Sequence, residues 1–189
     1  MSYLYLIFME NLQKLYSQIY DKYVDKIYRF IFLKVNSQEV AEDLSSETFL
    51  RGWQAFYERQ GNNSKNHKKI ENPPAFLYQI ARNLVVDFYR EKGKCQVVSV
   101  ENNPIADPGI NLEEKSLIDS EFQEIKGALS NLKDDYQTVI IWYYLDDLPV
   151  PEIARALKKS EQATRVMLHR ALKALKTTIN NEQRAIEQS

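Results

Sequence analysis

The chain has 189 residues, 44% of them apolar and 27% charged, with a formal net charge of -1. This is the composition of a folded protein and excludes a disordered or fibrous chain; the length suffices for one medium domain or two small ones. With 5 Gly and 6 Pro, turn residues are too scarce for many short strands, so the chain reads as all-α.

The charge is unevenly spread. Seven Lys/Arg face three Asp/Glu in residues 65–94, one Lys faces seven acids in residues 98–124, and seven Lys/Arg face one Glu in residues 155–176. Basic blocks around an acidic connector suggest two surfaces for polyanions with a repelled tether between them. On charge alone, solvated helix faces would explain the same runs. The single Cys95 excludes an internal disulfide and suits a reducing cytoplasm. His67 and His169 lie far apart and no Cys/His cluster has metal-ligand spacing, so neither metal nor cofactor is expected.

The apolar run at residues 3–9 is too short to span a bilayer and lacks the flanks of a signal peptide; it is expected to add a helical turn. Met1 and Met9 are both available as starts. Leu12, Leu15, Tyr16, Ile19, Tyr20, Tyr23, Ile27, Phe30 and Ile31 recur at three- and four-residue steps and predict one long amphipathic helix. Asn36-Ser37 breaks it, and Ser37 suits the N-cap of a second helix running to about Arg59. That helix buries Val40, Leu44, Thr48, Trp53 and Phe56 and shows Glu39, Asp43, Glu47 and Arg51 on its other side.

The polar stretch at residues 60–69 reads as an exposed loop. Asn72-Pro73-Pro74 starts a third helix, which buries Leu77, Ile80, Ala81, Leu84 and Phe88 and ends at Gly93. Its outer side carries Gln79, Arg82, Asn83, Val86, Asp87 and Arg90. Pro104, Pro108, Gly109 and several acids make residues 94–111 the linker. Helices resume at residues 112–132, and Asp134 is placed to cap another that reaches about Leu145, with Val139, Ile140, Trp142, Tyr143 and Leu145 inside.

The sharpest pattern lies beyond. Pro151 fits the first turn of a short helix ending at Leu157, Lys158-Lys159 forms a tight turn, and Ser160 caps a longer helix striped with Thr164, Leu168, Ala171, Leu172 and Leu175. This is the layout of a helix-turn-helix, whose second helix enters the major groove N-terminus first. Glu161, Gln162, Arg165, Val166 and His169 lie near that end. Arg165 can reach guanine or phosphate and Gln162 an adenine edge. Lys158, Lys159, Arg155, Arg170, Lys173 and Lys176 can neutralise phosphates. Lys158 stands where many such turns carry Gly.

These residues resemble a known family. Residues 148–157, then Ser160 through Leu175 with Leu168-His169-Arg170-Ala171, resemble the fourth region of extracytoplasmic-function (ECF) sigma factors. Residues 41–53 resemble the second-region helix that docks on the polymerase clamp, and residues 76–90 the helix that melts and reads the minus-ten element. Together the matches span nearly all of residues 12–176, in the family's order. The resemblance implies two small helical domains: residues 10–93 for clamp docking and minus-ten recognition, a linker at 94–111, and residues 112–180 for minus-thirty-five recognition through the helix-turn-helix. It implies a cytoplasmic promoter-specific initiation factor with core RNA polymerase, promoter DNA and an anti-sigma factor as partners, and no catalysis of its own.

By resemblance, Asp43, Glu47, Phe49, Leu50 and Trp53 would meet the polymerase. Asn62, Asn63, Lys65, Lys68 and Lys69, in the base-capturing loop, together with Arg82, Asn83, Asp87 and Arg90, would serve the minus-ten element. Lys158, Lys159, Glu161, Gln162, Arg165, Val166, His169 and Arg170 would serve the minus-thirty-five element. Met167 stands where the family often has Arg, and Gln162 where Gly is common. A free-standing helix-turn-helix regulator and a helical interaction protein remain alternatives on the residues alone, separable by whether core polymerase is needed for DNA binding. The Asp43/Glu47 pair could mimic an acid-base pair, but no phosphate loop or nucleophile motif accompanies it.

Overall fold

A computed structural model of the protein describes residues 3–60, 69–95 and 127–187, and among these every regular element is helical. Helix α1 (Tyr3–Val35) includes the apolar N-terminal run as its first turns. Its stripe buries Leu12, Tyr16, Ile27, Phe30 and Ile31, while Leu15 and Tyr20 stay exposed at the edge. Asn36 ends the helix in the left-handed region, at φ 53°, which Asn tolerates better than most residues. Ser37 caps α2 (Gln38–Gln60): its Oγ accepts a bond from the Val40 N–H at 3.4 Å.

Close approach of α1, α2 and α3 depends on Gly52. A Cβ there would lie 2.5 Å from Leu77 Cδ2 and 2.6 Å from Tyr16 Oη. The vacated space lets the Tyr16 hydroxyl donate to the Phe49 carbonyl at 2.6 Å, and burial pushes that phenol well above its ordinary pKa.

Helix α3 (Pro73–Cys95) begins with Asn72 Oδ1 accepting from the Ala75 N–H at 2.9 Å, and Pro73 and Pro74 fill the first turn, where no N–H is missed. The helix does not end at Gly93. No glycine among the described residues has positive φ, and at an exposed position a helical glycine costs only about 1 kcal/mol, too little to stop a packed helix.

Residues 127–130 are helical, and α4 (Asp134–Ile140) then runs directly into a π-helical turn, Ile141–Leu145. Two expectations are corrected here. Lys133, not Asp134, is the N-cap, and it makes no side-chain cap bond; the Asp134 carboxylate is drawn instead to Lys34 and Arg82. Tyr143 and Leu145 are exposed rather than inside, because the wider π turn rotates them off the buried face and puts Ile141 there beside Trp142.

Helix α5 (Val150–Leu157) follows, with Ile153 and Ala154 buried, and α6 (Glu161–Glu187) closes the chain. Helices α1, α2 and α3 pack as one unit, α4, α5 and α6 as another, and α3 lies against α5. The two units share one core. Trp142 sits 5.4 Å from the Phe30 ring and 5.3 Å from the Tyr78 ring, and all three are buried.

Candidate nucleic-acid interface

The helix-turn-helix owes its sharp corner to backbone geometry. Lys158 takes the left-handed conformation, φ 55° and ψ 40°. Its N–H donates to Arg155 O at 3.1 Å and the Lys159 N–H to Ala154 O at 2.9 Å, which satisfies the last carbonyls of α5. Ser160 then caps α6, its Oγ accepting from the Ala163 N–H at 3.2 Å. Thr164 and Ala171 face inward and anchor α6 on α4 and α5.

The opposite side of α6 is open. Lys158, Lys159, Glu161, Gln162, Arg165, Val166, His169 and Arg170 are all exposed, so the whole residue set expected for base and phosphate contact shares one accessible end. Arg155, Lys173 and Lys176 extend it. Arg165 touches Glu161 at 3.4 Å, an exposed pair worth well under 1 kcal/mol, so the guanidinium can swing to a base edge.

On α2, Asp43 and Arg51 are exposed and Glu47 pairs with Arg51 at 2.6 Å. Leu50 projects at 51% exposure, and Trp53 is half-buried against Tyr16. Phe49 departs from the expected contact set. It is 6% exposed and its ring packs edge-on against Tyr20, so it fastens α2 to α1 from behind. Turning it outward would empty a core site.

Of the minus-ten set, Asn62, Asn63, Lys65 and Lys68 lie outside the described residues. Lys69, Asn83 and Arg90 are exposed, and Arg90 pairs with Asp87 at 3.0 Å. Arg82 differs. Its side chain is 29% exposed and bound to Asp135 at 2.8 Å and Asp134 at 3.3 Å, both on α4.

Sequence reading missed the groups around that contact. Lys34 donates to Asp134 Oδ1 at 2.6 Å, Arg29 to Asp146 Oδ1 at 2.6 Å, and Lys26 to the Asp146 carbonyl. The Asp146 side chain is wholly buried, and burial raises its pKa against the opposing pull of Arg29. The Tyr78 hydroxyl lies beside this carboxylate, and burial, reinforced by the Asp146 charge, pushes that phenol above its ordinary pKa. Burial of Lys34 lowers its pKa, with Asp134 opposing. A signal was present: Lys26, Arg29 and Lys34 share a face of α1, and acidic pairs bracket α4 and its π turn at Asp134-Asp135 and Asp146-Asp147.

With this geometry in hand, relatives become informative. The Sigma-70 region 2 family model matches residues 19–95, and the Sigma-70, region 4 model matches residues 122–175. The ECF RNA polymerase sigma factor SigM of Bacillus subtilis (strain 168) is 28% identical over 86% of this chain and 94% of its own. The ECF sigma factor BldN of Streptomyces coelicolor is 29% identical over 89% of this chain and 62% of its own. The sigma factor RpoE of Bartonella quintana, solved in complex with the anti-sigma factor NepR, shares the fold at a TM-score of 0.63 and 20% identity, covering 88% of this chain and 98% of that one. CnrH, solved with the cytosolic domain of CnrY, shares it at 0.62 and 16%, covering 93% and 96%. An open helix-turn-helix at one end, a second helical unit before it, and matches to both family regions in order lead to one conclusion: the chain belongs to the ECF sigma factors of the sigma-70 family, which direct promoter-specific initiation by RNA polymerase.

Proposed function

We propose that this sigma factor divides its work among three surfaces. The N-terminal end of α6 reads the minus-thirty-five element: Arg165, Gln162 and His169 meet base edges with Glu161 and Val166 beside them, and Lys158, Lys159 and Arg170 hold phosphates. The outer side of α3, through Arg82, Asn83, Asp87 and Arg90, works with the loop carrying Asn62, Asn63, Lys65, Lys68 and Lys69 at the minus-ten element. There, flipping a base costs a few kcal/mol that a fitted pocket and a basic groove must recover. The acidic side of α2, with Asp43, Glu47, Leu50 and the edge of Trp53, docks on core polymerase, and Phe49 supports it from within.

In this reading residues 10–93 and 112–180 are the cores of the two domains, and the tether, expected at 94–111, begins only after α3 ends at Cys95. The protein acts in the cytoplasm, uses no cofactor and performs no catalysis; the polymerase makes the RNA. Among the described residues no helix is long and apolar enough to cross a membrane. An anti-sigma factor is among its partners, as RpoE is found in complex with the anti-sigma factor NepR.

The observation carrying this reading is the clustering of eight solvent-facing contact residues at the capped start of one helix. Replacing Arg165 and His169 with Ala tests it. Each good base contact is worth about 1–3 kcal/mol. Run-off transcription should therefore fall by at least about tenfold while core polymerase is still captured in a pull-down. Loss of capture would move these residues to the polymerase surface. Asp43→Ala with Glu47→Ala should behave in reverse, losing capture first.

A further inference from the structure

Among the polar residues at the start of α6 stands an exposed aliphatic side chain. Val166 is 45% exposed, with Gln162 and Arg170 one turn away on either side and Arg165 next to it. The fold does not need a valine there. Thr164, Leu168 and Ala171 hold the inner side of the helix, and Val166 stands outside the hydrophobic core. A β-branched residue is also a poorer helix former than Ala, Leu or Lys, so an exposed helical position gains no stability from it. A lone apolar residue needs no explanation on an ordinary surface. This one lies inside the residue set that faces DNA.

Val166 also lines a hollow. Ala163, Val166 and Met167 of α6 and Tyr136 of α4 supply its apolar lining, Gln162 and Arg170 part of its polar lining, around a volume of about 510 Å3. Arg170 makes the lining positive, and the exposed Lys158, Lys159 and Arg165 continue that charge at the same end of the helix. An apolar hollow in a positive surface suits a polyanion that carries small apolar groups. Duplex DNA has one such group in its major groove, the 5-methyl of thymine, and an apolar side chain is what reads it. Gln162, which suits an adenine edge, is four residues from Val166. That spacing is about 6 Å along the helix, or about two base-pair steps.

We propose that Val166, backed by Ala163 and Met167, is a specificity-determining residue that reads the 5-methyl group of a thymine in the minus-thirty-five element, about two base pairs from the adenine met by Gln162. Cytosine lacks that methyl group, and the purines turn polar N7, O6 or N6 atoms toward the groove instead. The branched side chain is stiff about its first torsion, so holding it against the methyl costs little entropy. The inference rests on the assignment of the start of α6 to the minus-thirty-five element, and adds to it a base that the hydrogen-bonding residues do not identify.

The test uses the full chain assembled with core polymerase, and a pool of promoter duplexes randomised across the upstream element. The selected sequence should carry a fixed thymine. In that duplex each thymine of the element is replaced in turn by deoxyuridine, which removes only the methyl group. Replacing one particular thymine should weaken binding by the parent about fourfold, the value of one buried methyl group. Val166→Ala, at an exposed position where the fold is not at stake, should bring the thymine-to-deoxyuridine ratio at that position close to one and leave the ratios elsewhere unchanged. A selected element with no fixed thymine, a parent indifferent to every methyl group, or a ratio that Val166→Ala leaves at its parent value overturns the inference. Arg165→Ala separates that failure from failure of the reading beneath it. If Arg165→Ala relaxes the selected sequence while Val166→Ala changes nothing, α6 still reads the element and the thymine contact falls. If neither variant alters the selected sequence, the assignment of α6 falls as well.

Discussion

The molecule carries two basic surfaces in opposite states. At the start of α6, Arg165, His169 and Arg170 face solvent, and Arg165 pairs with Glu161, one turn back, at 3.4 Å. On α3, Arg82 is already held by two carboxylates from across the molecule. Similar side chains therefore differ in availability. Attraction to a polyanion depends on what each cation must first release, so a count of Lys and Arg overstates the charge that DNA meets.

The sharpest way to abolish that difference is to remove the seat beneath Arg82. Trp142→Ala deletes a fully buried ring shared by both units and should cost about 3–5 kcal/mol. Because the ring belongs to the common core, denaturation of the parent should follow one transition, and the variant should separate into two. A loss under about 1 kcal/mol with a single transition retained would show that the units do not lean on each other there.

The next effect comes from the buried carboxylate. Arg29→Ala leaves Asp146 enclosed without its partner and should cost about 2 kcal/mol at neutral pH; wholly buried pairs lose more, but this guanidinium is partly solvated. Asp146→Asn removes the charge and should cost less. The pH dependence has a definite sign. Burial raises the Asp146 pKa above the ordinary carboxylate value. Its contribution is then fully present below about pH 4 and lost as pH rises through the raised value. Parent stability relative to Asp146→Asn should fall from about pH 4 toward neutrality, and more steeply in the Arg29→Ala background, where the opposing cation is gone. Chemical denaturation across that range measures it. A difference that grows with pH would mean that Arg29 outweighs desolvation.

How much of this was visible in the residues varies with the kind of interaction. Local signals read well. The α1 helix, the caps at Ser37 and Ser160, and the turn at Lys158 depend on neighbours in sequence and appear as expected, although Leu15 and Tyr20 of the α1 stripe stay exposed at its edge. The open face of α6 follows from helical period alone. Phase failed where the helix changed type: the π turn put Tyr143 and Leu145 outside although a regular period buries them. Asp134 looked like a cap because Asp often is one, but two distant cations compete for its carboxylate. The junction was least visible, since it joins residues about 50 to 120 positions apart. Even so, α3 held a clue. Tyr78 and Val85, seven residues apart and both buried, form a second apolar row beside the expected stripe, and a helix with two buried rows has two neighbours to cover them.

The smallest effect separates stability from recognition on the open surface. Lys158 sits at φ 55°, where a side chain costs about 1–2 kcal/mol. Glycine removes that cost but brings about 0.5–1 kcal/mol of extra chain entropy. Lys158→Gly should therefore stabilise the protein by about 0.5 kcal/mol in chemical denaturation, with the α5–α6 corner unchanged. The same change deletes a cation from the α6 surface. The slope of log affinity against log salt, measured for promoter duplex with the polymerase complex, should fall by about one unit. Gain in stability with loss of slope means that the sequence keeps a lysine in a glycine's place for its charge. An unchanged slope would remove Lys158 from the phosphate contacts, and a loss of stability would mean that its aliphatic stem supports the corner.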